Sequence, residues 1–421
     1  MKQSAPENPF SRDWTYMSTK SKLAVLSCSL VLVVIMALGS LHVRASSSDG
    51  PYPQLQVYSE VLSKVDREYV DAPNIPQVTD GALHGLLEAL DANSSYMSPA
   101  EFKAFKARGT QASADIGAAV SKRFGYAAVI SILPGGPSEK AGVQNYDIIE
   151  AIEGKSTHEM SLAEIQSMLA GQPGSNVTVS VVRARKAEPQ KITITRDLVA
   201  NPAATSKMVE AGMGYIKVDW FTKGKSAEIA TLMRSLEKSG AKKLILDLRN
   251  SADGDAAEGV ATANLFLDHG AITYLQGQKY PKETFNADPQ KAITKLPVVV
   301  LVNRGTAGPA EIIAAAILEN ARGDVLGDKT FGAGSIQKLI PMQDNSALNL
   351  TIAKYYSPSG KAIQDSAVTP NILVADEDEN AALPDEEEST AAPDLEKKAP
   401  TPQDEQLRRA IEVLKTRESK A

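Results

Sequence analysis

The regular alternation of strand and helix patterns over residues 214–374 constrains the fold of this chain more than any other feature. Apolar, β-branched runs at residues 243–248 and 298–302 alternate with helical periodicity at residues 226–239 and 310–319. Strands that alternate with helices predict an α/β core with a largely parallel sheet. In such a core, functional residues are expected at the carboxyl ends of the strands.

The chain has 421 residues, enough for about two or three domains. Its hydrophobic content of 43% is typical of globular cores. The net charge is −6 and the lysines and arginines are scattered, so there is no basic surface of the kind that binds nucleic acid. Nucleic acid is therefore not expected as a partner.

An apolar run at residues 23–41 would form a helix about 28 Å long, close to the hydrocarbon thickness of a bilayer. Lys20 and Lys22 precede the run, so the positive-inside rule predicts a transmembrane anchor with a periplasmic, extracytoplasmic remainder. The alternative is a signal peptide cleaved near residues 43–45, which would release a secreted protein. The only cysteine, Cys28, lies inside the run, so the exported part has no thiol chemistry.

Residues 112–197 differ from the rest, because short β-rich runs are separated there by Gly and Pro turns. Residues 133–143 (LPGGPSEKAGV), followed by an apolar strand pattern, resemble a PDZ domain. Strands are expected at residues 116–120, 127–133, 147–152, 177–183 and 191–195, and helices at residues 138–141 and 162–170.

A PDZ domain binds an extended peptide as an added strand and receives its terminal carboxylate on backbone amides. The resemblance implies that this peptide-binding loop consists of Asp115, Ile116, Gly117 and Ala118. Ile116 and Gly117 fit such a loop, whereas the charge of Asp115 opposes capture of a free carboxylate. The alternative is that this domain only packs on the core.

Other patterns complete a predicted multidomain α+β architecture. Apolar residues at helical spacing predict a helical N-terminal region and a terminal helix, and a stretch rich in Asp and Glu predicts a disordered linker. The expected boundaries are 1–22 for a cytoplasmic tail, 23–41 for the anchor, 50–111 for the helical region, 112–197 for the PDZ domain, 198–375 for the α/β core, 376–403 for the linker and 404–421 for the last helix.

Two motifs in the α/β region resemble those of the carboxyl-terminal processing peptidases, also called tail-specific proteases. They are residues 305–312 (GTAGPAEI) and residues 327–337 (GDKTFGAGSIQ). The resemblance continues through residues 355–364 (YYSPSGKAIQ) and covers nearly the whole predicted exported part. It implies an α/β peptidase core that carries a PDZ domain.

In that family the first motif carries a serine nucleophile and the second a lysine base. Alignment without a gap puts Gly308 at the nucleophile position and Ala333 at the base position. A hydroxyl attacks only when a positioned base takes its proton, and neither of these residues has a group for either step. Gln337 matches the glutamine that orients the lysine in the family, but here there is no lysine to orient.

A third departure lies at residues 247–254 (DLRNSADG), where the family has a glycine-rich turn that helps to hold the oxyanion. Asp253, which precedes Gly254, replaces one of those glycines. A carboxylate beside a developing oxyanion would repel it. Loss of a nucleophile alone typically lowers the rate by on the order of 10⁶.

These substitutions favour a catalytically inactive family member that acts as an extracytoplasmic peptide-binding or regulatory protein. Its expected partners are protein C-terminal peptides or an envelope protein. Association with further copies of this chain into a homo-oligomer is a further alternative. The alternative is an active serine-type endopeptidase that cleaves near protein C-termini through a relocated dyad among Thr306, Ser335 and Lys329. No metal or cofactor is expected, because the four histidines are widely separated in the sequence.

Overall fold

The computed structural model describes residues 52–109, 114–183, 186–199, 201–364, 366–375 and 404–417, together with residues 19–20, 23–24, 27 and 29–33. The predicted tail (1–22) and membrane segment (23–41) lie largely outside the described residues, and the acidic linker (376–403) lies entirely outside them. None of the described helices combines the length and apolarity that a bilayer crossing requires. Two compact units are distinguished, one ending at Asp80 and the other beginning at Gly81.

Helices dominate the part of the chain where a helical region was predicted. They are α1 (Tyr52–Glu68), α2 (Ile75–Glu88) and, after the short strand β1 (Ser95–Met97), α3 (Pro99–Gly109). No side chain of α1 is buried. A capping box starts α3, because Ser98 Oγ accepts from the Glu101 amide (3.4 Å) and Glu101 Oε2 accepts from the Ser98 amide (2.7 Å).

The β-domain, residues 114–197, is an antiparallel sheet with the strand order β2-β3-β4-β6-β7, and β5 pairs with β4. Alternate side chains of β6, such as Val177 and Val179, are fully buried in its core. The first strand was predicted to begin at Ile116, but it begins at Ala118 because Gly117 has a φ of +67°, which is incompatible with extended backbone. The elements are β2 (Ala118–Arg123), β3 (Tyr126–Ile132), α4 (Pro137–Ala141), β4 (Ile148–Ile152), β5 (Lys155–Ser156), α5 (Leu162–Leu169), β6 (Asn176–Arg183) and β7 (Lys186–Thr195).

The α/β core contains a six-stranded sheet with the order β17-β14-β13-β10-β9-β8. All neighbours in it are parallel except β8 and β9, which confirms the predicted largely parallel sheet. Helices α6, α7 and α8 pack on one face and α9 on the other, so the central strand β13 is buried on both sides. The elements are β8 (Thr205–Glu210), β9 (Met213–Lys217), α6 (Lys225–Lys238), β10 (Lys243–Asp247), α7 (Ala256–Asn264), β13 (Val298–Val302), α8 (Pro309–Glu319), β14 (Asp324–Gly327), β17 (Ile372–Leu373) and α9 (Glu405–Thr416).

A second, antiparallel sheet of the core was not predicted. Its order is β1-β16-β11-β12, and β15 also pairs with β16. The strands β11 (Ala271–Gln276), β12 (Glu283–Asn286), β15 (Ser335–Pro341) and β16 (Ala347–Tyr356) complete it. Because β15 starts two residues after Ala333, this sheet fixes one side of the candidate site.

Candidate functional site

Gly308 lies between β13 and α8, at the carboxyl end of the parallel strands. It is the N-cap of α8 and has φ +59° and ψ −118°, a conformation that residues with side chains rarely adopt. Sharp strand-to-helix turns of this kind carry the nucleophile in α/β-hydrolases. A Cβ atom built on Gly308 would meet only the Ala333 carbonyl oxygen, at 3.9 Å. The turn thus has room for a side chain and presents none.

Ala333 and Gly308 line the same cavity, which has a volume of about 200 Å³. The two positions that the sequence analysis singled out are therefore brought together. Gly254, Ser335 and Gln337 line this cavity as well. Neither Gly308 nor Ala333 offers an atom that can attack a carbonyl carbon or transfer a proton.

Glu311 joins the two loops that carry these positions. Its side chain is completely buried. Oε2 accepts hydrogen bonds from the amides of Gly308 (3.0 Å) and Ala333 (2.8 Å), while Oε1 accepts from the Gly332 amide (2.8 Å) and the Thr330 hydroxyl. Sequence reasoning missed this role, although a carboxylate within the apolar helix α8 (PAEIIAAAILE) was a usable signal.

Burial raises the pKa of Glu311 to about 7, against the opposing effect of the hydrogen bonds that it accepts. The carboxylate is therefore poised to change charge near neutral pH. Because it accepts from the backbone amides of the Gly308 turn and the Ala333 loop, its role is to position these two loops.

Gln337 lies in the cavity, where the family resemblance placed it. Its Nε2 donates to Ser335 Oγ (2.8 Å) and to Thr351 Oγ1 (3.2 Å). Asn93 Nδ2 also donates to Ser335 Oγ (3.2 Å), and the sequence analysis gave no sign of this residue in the site. The glutamine thus stabilises β15 and β16 in the absence of a lysine.

Among the described residues, no hydrogen bond joins any two of the candidates for a relocated dyad. Thr306 is completely buried, donates to the Leu248 carbonyl (2.8 Å) and accepts from the Asn303 amide (3.0 Å). Lys329 is exposed. Ser335 lines the cavity, but among the described residues no lysine and no histidine lines it. His42 lies outside the described residues.

In the turn at Asp253 and Gly254, the Asp253 carboxylate binds the backbone amide of the turn itself. Asp253 Oδ1 accepts a hydrogen bond from the Gly254 amide (2.7 Å). Gly254 has a φ of +132°, and a Cβ there would lie 2.3 Å from the Phe221 carbonyl oxygen, so only glycine fits. The amide of the predicted oxyanion turn therefore already donates to a negative group.

The predicted carboxylate loop of the β-domain has a similar arrangement. Asp115 Oδ1 accepts from the Ile116 amide (2.5 Å). The Ile116 carbonyl accepts from the amide (2.8 Å) and the hydroxyl (2.7 Å) of Ser138, which ties the loop to the start of α4. Burial raises the pKa of Asp115, and the nearby Asp253 carboxylate raises it further.

A groove between β2 and α5 connects the β-domain with the core. This groove, with a volume of about 450 Å³, shares Asn93 and Ala333 with the smaller cavity. On one side β2 is an edge strand, without a strand partner among the described residues. The groove is lined by Asp115, Ala118, Ala119, Val120, Ser121, Ile130, Leu162, Gln166, Leu169, Ala170, Ala252 and Asp253, besides the two shared residues.

Comparisons with known proteins agree with this architecture. Residues 212–374 match the family model described as Peptidase family S41, and residues 129–183 match a PDZ domain. The chain is 32% identical to the carboxy-terminal processing protease CtpA of Bacillus subtilis over 352 residues, which covers 83% of this chain and 74% of that protein. It is 30% identical to the carboxyl-terminal-processing protease of a Picosynechococcus species over 378 residues, which covers 85% of this chain and 91% of that protein.

A solved structure has a similar fold. The photosystem II D1 C-terminal processing protease superposes with a TM-score of 0.62 at 27% sequence identity. The superposition covers 76% of this chain and 92% of that structure. The likeness therefore extends over about three quarters of this chain.

Proposed function

Because this chain belongs to peptidase family S41, the family of the carboxy-terminal processing proteases, we propose that it binds extended peptides of other proteins without cleaving them. The observation that carries the proposal is the pairing of Gly308 with Ala333 across one cavity, in a framework whose loops Glu311 still joins. The framework is retained and the two reacting side chains are missing from it.

Hydrolysis by the family mechanism needs a nucleophile, a base and a site for the oxyanion. The nucleophile and base positions are occupied by Gly308 and Ala333, which have no hydroxyl and no amine. The oxyanion position corresponds to the Gly254 amide, which donates to Asp253. Since a fixed negative charge destabilises a developing oxyanion, the turn opposes the reaction even where a substrate is held.

Peptide binding depends on different parts of the chain, namely the edge strand β2 and the apolar wall opposite it. The edge of β2 offers backbone amides and carbonyls to an added strand. Leu162 and Leu169 of α5 line the opposite wall of the groove with apolar surface. Since the relatives are named as proteases that process carboxyl termini, protein tails or nearby segments are the proposed ligand class.

The proposal is tested with the full-length chain and an unfolded protein, which offers internal segments as well as a carboxyl-terminal tail. We expect the chain to bind the protein, to leave it uncleaved and to remain unlabelled by a fluorophosphonate, which reacts with activated serines. We expect Gly308→Ser with Ala333→Lys to become labelled. Adding Asp253→Gly should raise its cleavage rate by about 10²–10³, because it frees the Gly254 amide for the oxyanion.

The single change Gly308→Ser is the matched control, since it supplies a hydroxyl without a base. Cleavage or fluorophosphonate labelling by the unaltered chain would disprove the proposal and favour the relocated dyad. In that case, loss of labelling in Ser335→Ala but not in Thr306→Val would identify Ser335 as the nucleophile.

We also propose that residues 23–41 anchor the chain in a membrane and that the PDZ domain and core are extracytoplasmic. The apolar run and the lysines that precede it support this orientation. The partner would then be an envelope protein.

A further inference from the structure

The same local arrangement occurs at both places where this scaffold would hold a negative group of a peptide. In the peptide-binding loop, Asp115 accepts from the amide of the next residue (2.5 Å), and in the oxyanion turn Asp253 does the same (2.7 Å). One position would receive a terminal carboxylate and the other the oxygen of a carbonyl under attack. Each carboxylate thus occupies an amide that an incoming anion would need.

Both aspartates line the groove between β2 and α5, and their charges act on each other. One cation, Arg196, lies near Asp115, and its charge lowers the pKa of that carboxyl, so it offsets one of the two aspartates in part. Arg196 donates to the carbonyls of Leu169 (2.7 Å) and Met168 (2.7 Å).

The remaining side chains of the groove are apolar or uncharged. Among its described lining residues there is no lysine, arginine or histidine. The groove therefore has an excess of negative charge beside an apolar wall. A ligand carboxylate placed there would be repelled by like charges, whereas a ligand cation would be attracted.

From this charge arrangement we infer that the groove selects extended peptide segments that carry a lysine or arginine side chain and have no free terminal carboxylate at the Asp115 loop. The inference rests on the proposed function, because it names the ligand of the same peptide-binding groove. An internal or loop segment of a partner protein fits this description, and a bare apolar tail does not. Asp115 and Asp253 are the residues that determine the specificity.

The test measures the binding of fluorescent peptides to the full-length chain by anisotropy. Three peptides share one apolar sequence: the first ends in a free carboxylate, the second in an amide, and the third in an amide with one internal residue replaced by lysine. We expect the amidated lysine peptide to bind most tightly and the free acid at least about tenfold more weakly than its amide. The preference should decrease with added salt.

Asp115→Asn with Asp253→Asn removes both charges and keeps an oxygen that can accept from each amide. In this variant we expect the free acid to gain about tenfold and the advantage of the lysine peptide to disappear. Asp268→Asn, on a different surface, is the matched control and should change nothing. Each single variant should show a smaller change in the same direction, so the test does not depend on the folding of the double variant.

Tighter binding of the free acid by the unaltered chain would overturn the inference and leave the proposed function standing. Calcium binding at micromolar concentration that is lost in the double variant would also overturn the inference. The groove would then hold an inorganic cation and not a peptide side chain. If the unaltered chain binds none of the three peptides, the proposed peptide-binding function itself is wrong.

Discussion

At the residue scale, Glu311 explains how the site can keep its shape without its reacting side chains. The Gly308 turn and the Ala333 loop come from separate parts of the core, and each donates a backbone amide to the same carboxylate. These bonds do not depend on the side chain at either position. The geometry of a peptidase site can therefore persist when the nucleophile and the base are lost.

The charge of Glu311 should make the stability of the chain depend on pH. Burial raises its pKa from 4.5 to about 7, so the folded state holds a proton between these values that the unfolded chain has released. The free energy of unfolding should thus fall as the pH rises from 5 to 8, by up to about 3 kcal/mol. Urea unfolding at both pH values measures this change.

Glu311→Gln cannot titrate, and it should lose this part of the pH dependence. It should also be less stable at each pH, because its amide group meets donors where the carboxylate accepted. Glu237→Gln, at a partly exposed position on α6, is the control and should keep the slope. An unchanged slope in Glu311→Gln would show that another group is responsible.

The site residues that could be predicted from the sequence are those that lie within a recognisable motif. Gly308 and Ala333 were found because they interrupt a pattern, and the structure brings them to one cavity. Asn93 was not found, because it lies far from both motifs in the sequence and reaches Ser335 only through the antiparallel sheet. Asp115 was noted for its charge, but its proximity to Asp253 depends on how the PDZ domain packs on the core.

At the element scale, α9 supports the turn that ends at Asp253. Ala410 and Leu414 of α9 are fully buried against the sheet face that contains Ile245. Arg249, within the turn, donates to Asp404 (2.7 Å) and Asp247 (2.6 Å). Although burial alone would raise the pKa of Asp247, Lys217, Arg249 and Tyr215 lower it to about 2, so this ion pair persists at neutral pH.

Removing the Asp404 side chain should loosen α9 selectively. Asp404 is the N-cap, and its Oδ1 accepts from the Leu407 amide (2.9 Å). In Asp404→Ala we expect local opening of α9 to become easier by about 1–2 kcal/mol, hence roughly tenfold faster amide exchange. Hydrogen exchange read by mass spectrometry measures this for α9 and β13 separately.

Asp404→Asn is the matched variant, because an asparagine still caps the helix but carries no charge for Arg249. Its α9 should exchange at a rate between those of the unaltered chain and Asp404→Ala. Exchange in β13 should stay the same in both. Equal exchange of α9 in all three proteins would contradict the supporting role of Asp404.

The parallel strands were predictable from local pattern and the antiparallel sheet was not. A buried parallel strand such as β13 (VVVLV) is uniformly apolar and short. By contrast, β15 and β16 have mostly half-buried residues without clear alternation. β1 has only three residues and pairs with β16 across most of the chain, so its partner is set by tertiary structure.

At the scale of the whole molecule, the groove beside β2 and the cavity at Gly308 form one continuous site. They share Asn93 and Ala333, so under the proposed function a peptide bound at the PDZ domain would run towards Gly308 and Ala333. Such a peptide would be held beside two residues that have no nucleophilic or basic group. An anchor at residues 23–41 would keep this site near a membrane and confine the available partners to that surface.

The anchor makes a prediction that concerns the whole chain. Leu30→Arg with Val33→Arg puts two charges in the middle of the apolar run, and each charge opposes membrane insertion by about 2.5–3.5 kcal/mol. We expect the unaltered chain to stay in the membrane fraction after an alkaline wash, at the mass of all 421 residues, and the variant to leave it. Leu30→Ile with Val33→Leu is the control and should behave like the unaltered chain. A soluble product that has lost about 45 residues would show instead that the segment is a cleaved signal peptide.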